Sequence, residues 1–216
     1  MTLDLFRDAR GAIQREELCA GAAMLREFAL PLETALLAAL HDITAAAPFR
    51  HMITPGGFRM SVAITNCGSY GWVTERTGYR YDTLDPDSGR PWPRMPEAFA
   101  KLAFDAAECA GYTGFAPDAC LINRYASGAR LSLHQDKNER DFSAPIVSVS
   151  LGLPAVFLFG GTKRDDKPAR LPLMHGDVVV WGGPARLRYH GVLPLTAGFH
   201  ALTGEHRINL TFRKAA

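Results

Sequence analysis

His134, Gln135 and Asp136, with His190 further downstream, supply the side chains of this chain best suited to grip a metal ion. In an extended strand, residues two apart point to the same face, so His134 and Asp136 can bind one ion together. A third imidazole from elsewhere would complete a set of two histidines and one carboxylate on one side of the metal. That set leaves the opposite positions open and is the ligand arrangement of non-haem Fe(II) oxygenases. The run Arg207-Ile208-Asn209-Leu210-Thr211-Phe212-Arg213 carries a second pattern. By the same alternation, Arg207, Asn209, Thr211 and Arg213 share one face. Two inward guanidiniums require anions, and a small dicarboxylate would suit both. Asn123 and Tyr125, again two apart, offer hydrogen bonds to the same acid. Triad and clamp together point to iron and 2-oxoglutarate.

Each piece has a plainer explanation when taken alone. A His-x-Asp tripeptide arises by chance, and a strand can turn its polar face to water while only Ile208, Leu210 and Phe212 meet the core. The third ligand must be chosen among seven histidines. His41 and His51 lie far upstream of the motif, His175 opens a His-Gly-Asp turn, and His200 and His206 flank the arginine run. His190 ends the short run Arg188-Tyr189-His190 and precedes Gly191, where its ring could face a roomy cavity. Residue chemistry puts His190 ahead of His200 without excluding the latter.

The elements that must position these groups divide the chain in two. Leu32 to Ala47 is rich in alanine and leucine with helical periodicity, stopped by Pro48, and Met95 to Gly111 reads as a second helix. Between them, residues 50–94 are rich in glycine, proline and aromatics, with a β-like run at Met60–Thr65. This stretch is expected to be a lid or substrate-recognition segment. From Asp118 onward the texture is β. Strands are expected at Ala119–Tyr125, Leu131–His134, Ile146–Leu151, Val156–Phe159, Arg170–Met174, Val178–Trp181, Arg188–His190 and His206–Arg213. The fold class expected is α+β, mainly β. Two N-terminal helices would buttress a double-stranded β-helix, or jelly roll, in one catalytic domain over 1–216.

Composition narrows the setting. The chain has 216 residues, 47% of them apolar, enough to bury a full core. Cys19, Cys67, Cys109 and Cys120 lack zinc-site spacing and no secretory signal is apparent, so buried, reduced thiols in a cytoplasmic protein are expected. There is no run of 18 apolar residues to suggest a membrane span. Net charge is +2, but residues 1–117 hold 11 Lys+Arg against 14 Asp+Glu, and residues 118–216 hold 13 against 8. The basic half carries the metal motif, as a polyanionic partner would favour, although an uneven solvated surface accounts for the same numbers.

Longer motifs carry a resemblance over nearly the whole length. They are Met52-Ile53-Thr54-Pro55-Gly56-Gly57, Asn66-Cys67-Gly68, Gly71-Trp72, Pro91-Trp92-Pro93 and Pro117 to Tyr125. Further on they are Leu131 to Lys137, Ala144 to Gly152, His175 to Gly183 and Arg207 to Arg213. In these the chain resembles the AlkB family of Fe(II)/2-oxoglutarate dioxygenases that repair alkylated nucleic acids, and its bacterial members above all. The resemblance implies His134, Asp136 and His190 as iron ligands. It implies Arg207 and Arg213 as 2-oxoglutarate anchors helped by Asn123, Tyr125 and Asn209. It also implies Trp72 and Tyr79 as the nucleotide-recognition lid, and Arg164 as a substrate contact in the hairpin region after Gly160-Gly161.

Asn138 departs from the family pattern, which has an aspartate there. The amide keeps a carbonyl acceptor, loses the charge and gains a donor. The implied reaction is oxidative demethylation of bases such as 1-methyladenine and 3-methylcytosine, with O2 consumed, succinate and CO2 formed and formaldehyde released. The implied partner is alkylated DNA, single-stranded by preference, with RNA as a further substrate, acted on by a monomer away from membranes. Three rival readings share parts of the site: a 2-oxoglutarate hydroxylase of a protein or metabolite, a non-catalytic binder of alkylated nucleic acid, and a zinc hydrolase with the same ligands.

Overall fold

A computed structural model describes residues 14–216; the first 13 residues of the expected 1–216 unit lie outside the described residues. The chain opens with β1 (Arg15–Cys19) and β2 (Ala22–Leu25), then α1 (Glu33–Ala46). Three strands follow, β3 (Ala63–Gly68), β4 (Gly71–Glu75) and β5 (Gly78–Asp82), and then α2 (Glu97–Cys109). The remainder is β6 (Ala119–Tyr125), β7 (Leu131–His134), β8 (Ile146–Gly152), β9 (Ala155–Phe159), β10 (Ala169–Leu173), β11 (Val178–Trp181), β12 (His190–Val192) and β13 (Arg207–Arg213).

Two antiparallel sheets form the jelly roll, a seven-stranded one in the order β1-β2-β11-β8-β13-β6-β3 and a four-stranded one in the order β10-β9-β12-β7. Each central strand sends alternate residues to opposite faces. Ile208, Leu210 and Phe212 of β13 join Val147, Val149 and Val180 on the outer face of the large sheet. There they meet Leu36, Leu40 and Ile43 of α1 and Phe99, Leu102 and Ala106 of α2. Phe212 meets Phe99 edge to face, with centroids 5.8 Å apart. The inner face, with Tyr125 and Trp181, faces Phe157, Phe159 and Leu173 of the small sheet. The helices thus fix the large sheet from behind and leave its inner face for chemistry.

Both helices end as their residue types require. Ala47 is extended (φ −134°, ψ 90°), as a residue before proline prefers, and Gly111 takes φ +94° past the end of α2. Several expected boundaries shift. The stretch at residues 50–94 is not all cover, because β3 lies in the large sheet beside β6, while β4 and β5 form a separate hairpin. The β-like run expected at Met60–Thr65 is shifted to Ala63–Gly68, where buried polar Thr65 and Asn66 interrupt the alternation. β13 is buried on both faces, as inward-facing arginines require, and the amphipathic alternative falls away. The strand expected at Arg188–His190 instead begins at His190. Cys67 and Cys120 are buried free thiols, whereas Cys19 and Cys109 are only partly buried. No helix among the described residues is long and apolar enough to cross a membrane.

Candidate active site: a metal centre beside an anion clamp

His134 and His190 are direct cross-strand partners of β7 and β12, so their side chains rise from the same face, ring centroids 4.3 Å apart. Asp136 lies past the end of β7, so pleat alternation alone does not place it as expected. Arg213 does: its Nε and Nη2 both donate to Asp136 Oδ2, at 3.0 and 2.7 Å. One ligand atom from each of His134, Asp136 and His190 lies within 4.8 Å of the others. Each imidazole Nδ1 faces a backbone carbonyl, Ser132 at 2.9 Å and Arg188 at 3.0 Å. Those contacts set the tautomer that leaves Nε2 as the lone-pair donor toward a shared ion. The donor set fits a divalent transition metal with open positions.

Charge follows this geometry. Burial pushes His134 down to about 4, with neighbouring His190 acting in the same direction, so its ring is neutral and able to bind metal near neutrality. A third of the side chain stays exposed toward the cavity, and water there screens part of this effect. Burial would raise Asp136, but Arg213 and the two imidazoles hold it well below the usual carboxylate range.

The clamp is assembled by register. In β13, Arg207 pairs with Tyr125 and Asn209 with Asn123 of β6, while Thr211 pairs with Ser148 of β8. Asn209 accepts from Asn123 Nδ2 (3.1 Å) and Thr211 Oγ1 (2.9 Å), and its own amide donates to Ser148 Oγ (2.9 Å) and the Val149 carbonyl (3.0 Å). Arg207 lies over the Tyr125 ring at 5.0 Å, and its Nη2 donates to Ser150 Oγ at 2.9 Å. Its Nε and Nη1 are buried with no hydrogen-bond partner. Burial depresses the Arg207 guanidinium, partly offset by Tyr125.

The two arginines are therefore not equivalent, contrary to the expectation that both await an external acid. Arg213 already has Asp136 and, at 3.5 Å, Glu139. Arg207 alone presents a buried cation with donors to spare, and a carboxylate fits it.

Triad and clamp share one cavity of about 760 Å³. Trp72 and Tyr79 stand at its rim on the β4–β5 hairpin, stacked at 5.5 Å with 20° between planes. Trp72 Nε1 donates to Asn138 Oδ1 at 3.4 Å. Arg164 lines the cavity with its guanidinium over Tyr189, 5.9 Å from the ring centroid. All twelve residues named from the sequence thus line this one cavity. The sequence reading missed Arg59, Arg130 and Lys137, which also line it; with Arg164, Arg207 and Arg213 they give six cations against a single carboxylate, Asp136. The rival histidines lie elsewhere. His175 accepts from the Gly152 amide and contacts Glu33 at 2.8 Å, and His200 packs against His175. His190 does face a roomy cavity, but Gly191 serves the strand pairing rather than that space. A Cβ there would sit 2.6 Å from the Leu131 carbonyl, so glycine lets β7 and β12 approach.

Residues 21–213 match the 2OG-Fe(II) oxygenase superfamily. The chain is 60% identical over 213 residues to the alpha-ketoglutarate-dependent dioxygenase AlkB of Escherichia coli (strain K12), covering 99% of this chain and 98% of that protein. It belongs to the bacterial AlkB family. Among more distant AlkB relatives, the Mus musculus protein named nucleic acid dioxygenase ALKBH1 is 36% identical over 121 residues, 56% of this chain and 31% of its own length. The solved structure of OsALKBH1 superposes with a TM-score of 0.82 at 29% identity, covering 93% of this chain and all of that one. Membership in the AlkB family makes this protein an Fe(II)- and 2-oxoglutarate-dependent dioxygenase with O2 as second co-substrate. The buried, partner-less donors of Arg207 and the free Nε2 lone pairs fit that pair of groups.

Proposed function

We propose that the enzyme oxidatively dealkylates N-alkylated bases such as 1-methyladenine and 3-methylcytosine in DNA, and also in RNA. The observation that carries this reading is the stacked Trp72–Tyr79 pair on the rim of a six-cation cavity with the metal triad inside. Aromatic faces accept a base irrespective of sequence, and cations around them attract phosphate. A small-metabolite hydroxylase would require neither.

In this reading His134, Asp136 and His190 hold Fe(II), which with 2-oxoglutarate and O2 supplies oxidation of an unactivated C–H bond. Arg207 holds the distal carboxylate of the co-substrate, with Tyr125 and Asn123 beside it, and Asn209 fixes that wall through its Ser148 and Thr211 bonds. Arg213 holds Asp136 with one oxygen turned away from the guanidinium. Trp72 and Tyr79 cover a base that has left its stack, Asn138 meets its polar edge, and Arg164 meets the backbone. The hydroxylated N-alkyl group then falls apart to an aldehyde and the restored base.

Extrusion of a base costs least from a single strand, so single-stranded substrate is favoured. Residues 1–216 act as one catalytic domain, with the β4–β5 hairpin rather than the whole of residues 50–94 as lid. The enzyme acts as a monomer, and its four free cysteines suit a reducing cytoplasm. The test is formaldehyde and succinate release from a 1-methyladenine oligonucleotide, compared with the free nucleoside and with peptide substrates. Equal or better turnover of nucleoside or peptide would overturn the reading.

A further inference from the structure

Behind the cavity wall the Arg213–Asp136 pair continues into buried polar contacts with Tyr81, Glu139 and Arg186 that the proposed reaction does not use. Tyr81 of β5 is two residues from Tyr79 and pairs in register with Trp72, so it shares their face of the hairpin, one step deeper. It does not line the cavity. Its hydroxyl donates to Glu139 Oε1 at 2.6 Å and accepts from Arg213 Nη1 at 3.3 Å. The remaining donors of Arg213 hold Asp136 Oδ2. Glu139 is anchored from its other side by Arg186 at 3.1 Å, which also donates to the Asp136 carbonyl at 2.8 Å. Glu139, Asp136, Arg186 and Arg213 are all buried, and two carboxylates balance two guanidiniums. Within this buried set the hairpin supplies a single member, the Tyr81 hydroxyl.

We propose that Tyr81 is a positioning residue that couples the seating of the β4–β5 hairpin to the aim of the metal-ligating carboxylate, through Arg213. A buried pair with satisfied charges has few orientations open to it. When the hairpin closes, the Tyr81 hydroxyl occupies Arg213 Nη1 and Glu139 Oε1 together, which leaves Nε and Nη2 directed at Asp136. When it lifts, Glu139 loses a donor and Arg213 is free to turn toward Glu139. Metal affinity then depends on what sits under the hairpin, and by reciprocity oligonucleotide affinity depends on metal to the same factor.

The inference rests on the proposed function in one respect: nucleic acid is what seats the hairpin. The test is Mn(II) titration of the full chain by electron paramagnetic resonance, with and without a 1-methyladenine oligonucleotide, in wild type and Tyr81→Phe. No turnover is involved. The oligonucleotide should tighten Mn(II) binding of the wild type about fivefold or more, the low end of ordinary coupling. In Tyr81→Phe this ratio should fall toward one, while Mn(II) still binds and the protein stays folded. A merely structural loss in the hairpin would weaken oligonucleotide binding equally with and without metal and leave the ratio at its wild-type value; that result overturns the inference. If the oligonucleotide fails to bind wild type at all, the proposed function falls, and the inference with it. Glu139→Gln keeps an acceptor for the tyrosine but removes the charge, so a ratio intermediate between the two proteins is expected; a ratio as high as wild type refutes the role given to Glu139.

Discussion

Arg207→Met should change two properties in opposite directions. In the absence of co-substrate, Arg207 is a 1% exposed cation whose Nε and Nη1 have no partner and whose only side-chain hydrogen bond reaches Ser150. An uncompensated buried charge opposes folding, and replacing it with an apolar side chain of similar length is neutral to stabilising. The ligand-free variant should therefore melt at or above the wild-type temperature. Binding of 2-oxoglutarate should suffer instead. Removing one partner of a buried, hydrogen-bonded charge pair costs about 2–5 kcal/mol, or roughly 30-fold to several thousand-fold in Kd.

The assay is thermal unfolding with Mn(II) in place of iron, with and without 2-oxoglutarate. At a ligand concentration of about 100 Kd the wild type gains about 2.7 kcal/mol, worth roughly 5–10 °C in a chain of this length. A variant with a hundredfold weaker Kd gains about 0.4 kcal/mol at the same concentration, a shift of roughly 1–2 °C. Arg207→Lys keeps the charge but not the planar fork, and should fall between. A ligand-free Arg207→Met protein that melts several degrees lower, or one that keeps the full ligand shift, refutes the assignment of Arg207 as the co-substrate's anion site.

His134→Ala, Asp136→Ala and His190→Ala should each abolish succinate release, and substantial residual activity in any one removes that residue from the ligand set. Asn138→Asp should raise turnover of cationic 1-methyladenine relative to neutral 1-methylguanine, because a carboxylate favours the positive ring; an unchanged ratio in parallel assays refutes this. For pH, the sign follows from His134, whose folded value of about 4 lies below its ordinary 6.5. Between those values the unfolded chain binds a proton that the folded protein refuses. The stability contributed by His134 is thus full above about 6.5 and is lost as pH falls toward 4. Metal-free unfolding midpoints should fall over that window, and His134→Asn should flatten the slope. Gly191→Ala should cost about 1–3 kcal/mol by overpacking against the Leu131 carbonyl and should weaken Mn(II) binding by disturbing the His134–His190 pairing; a wild-type midpoint and affinity would show that the strands have room.

The legible part of this protein is the part that obeys periods of two. His134, Asn123, Tyr125 and the four polar residues of β13 are spaced to share faces, and strands β6, β7 and β11 have the bounds expected from the pattern, whereas Asp136, past the end of β7, is placed by Arg213. What the spacing cannot carry is the third dimension across strands. Nothing in the run from Arg207 to Arg213 distinguishes its two arginines, yet one closes on Asp136 and the other is left open, because only Arg213 lies near the loop after β7. Glu139 and Arg186 read as ordinary surface charges until the fold buries them together. Tyr81 offered a faint clue, being two residues from Tyr79 in a strand-like Gly-Tyr-Arg-Tyr run, but alternation alone does not reveal whether a tyrosine meets a base or a carboxylate. β3 was legible only in part, as the run Met60–Thr65, for a related reason, since its buried Thr65 and Asn66 are satisfied by the Ala47 carbonyl and by the Trp72 backbone, groups contributed by other segments. The sequence therefore states which residues can act on a common ion, while the identity of the residue that aims them is settled only by packing. That difference is why a Tyr81 variant, behind the cavity wall and touching Arg213 rather than the ion's ligands, is a sharper probe of this fold than a further substitution among the ligands.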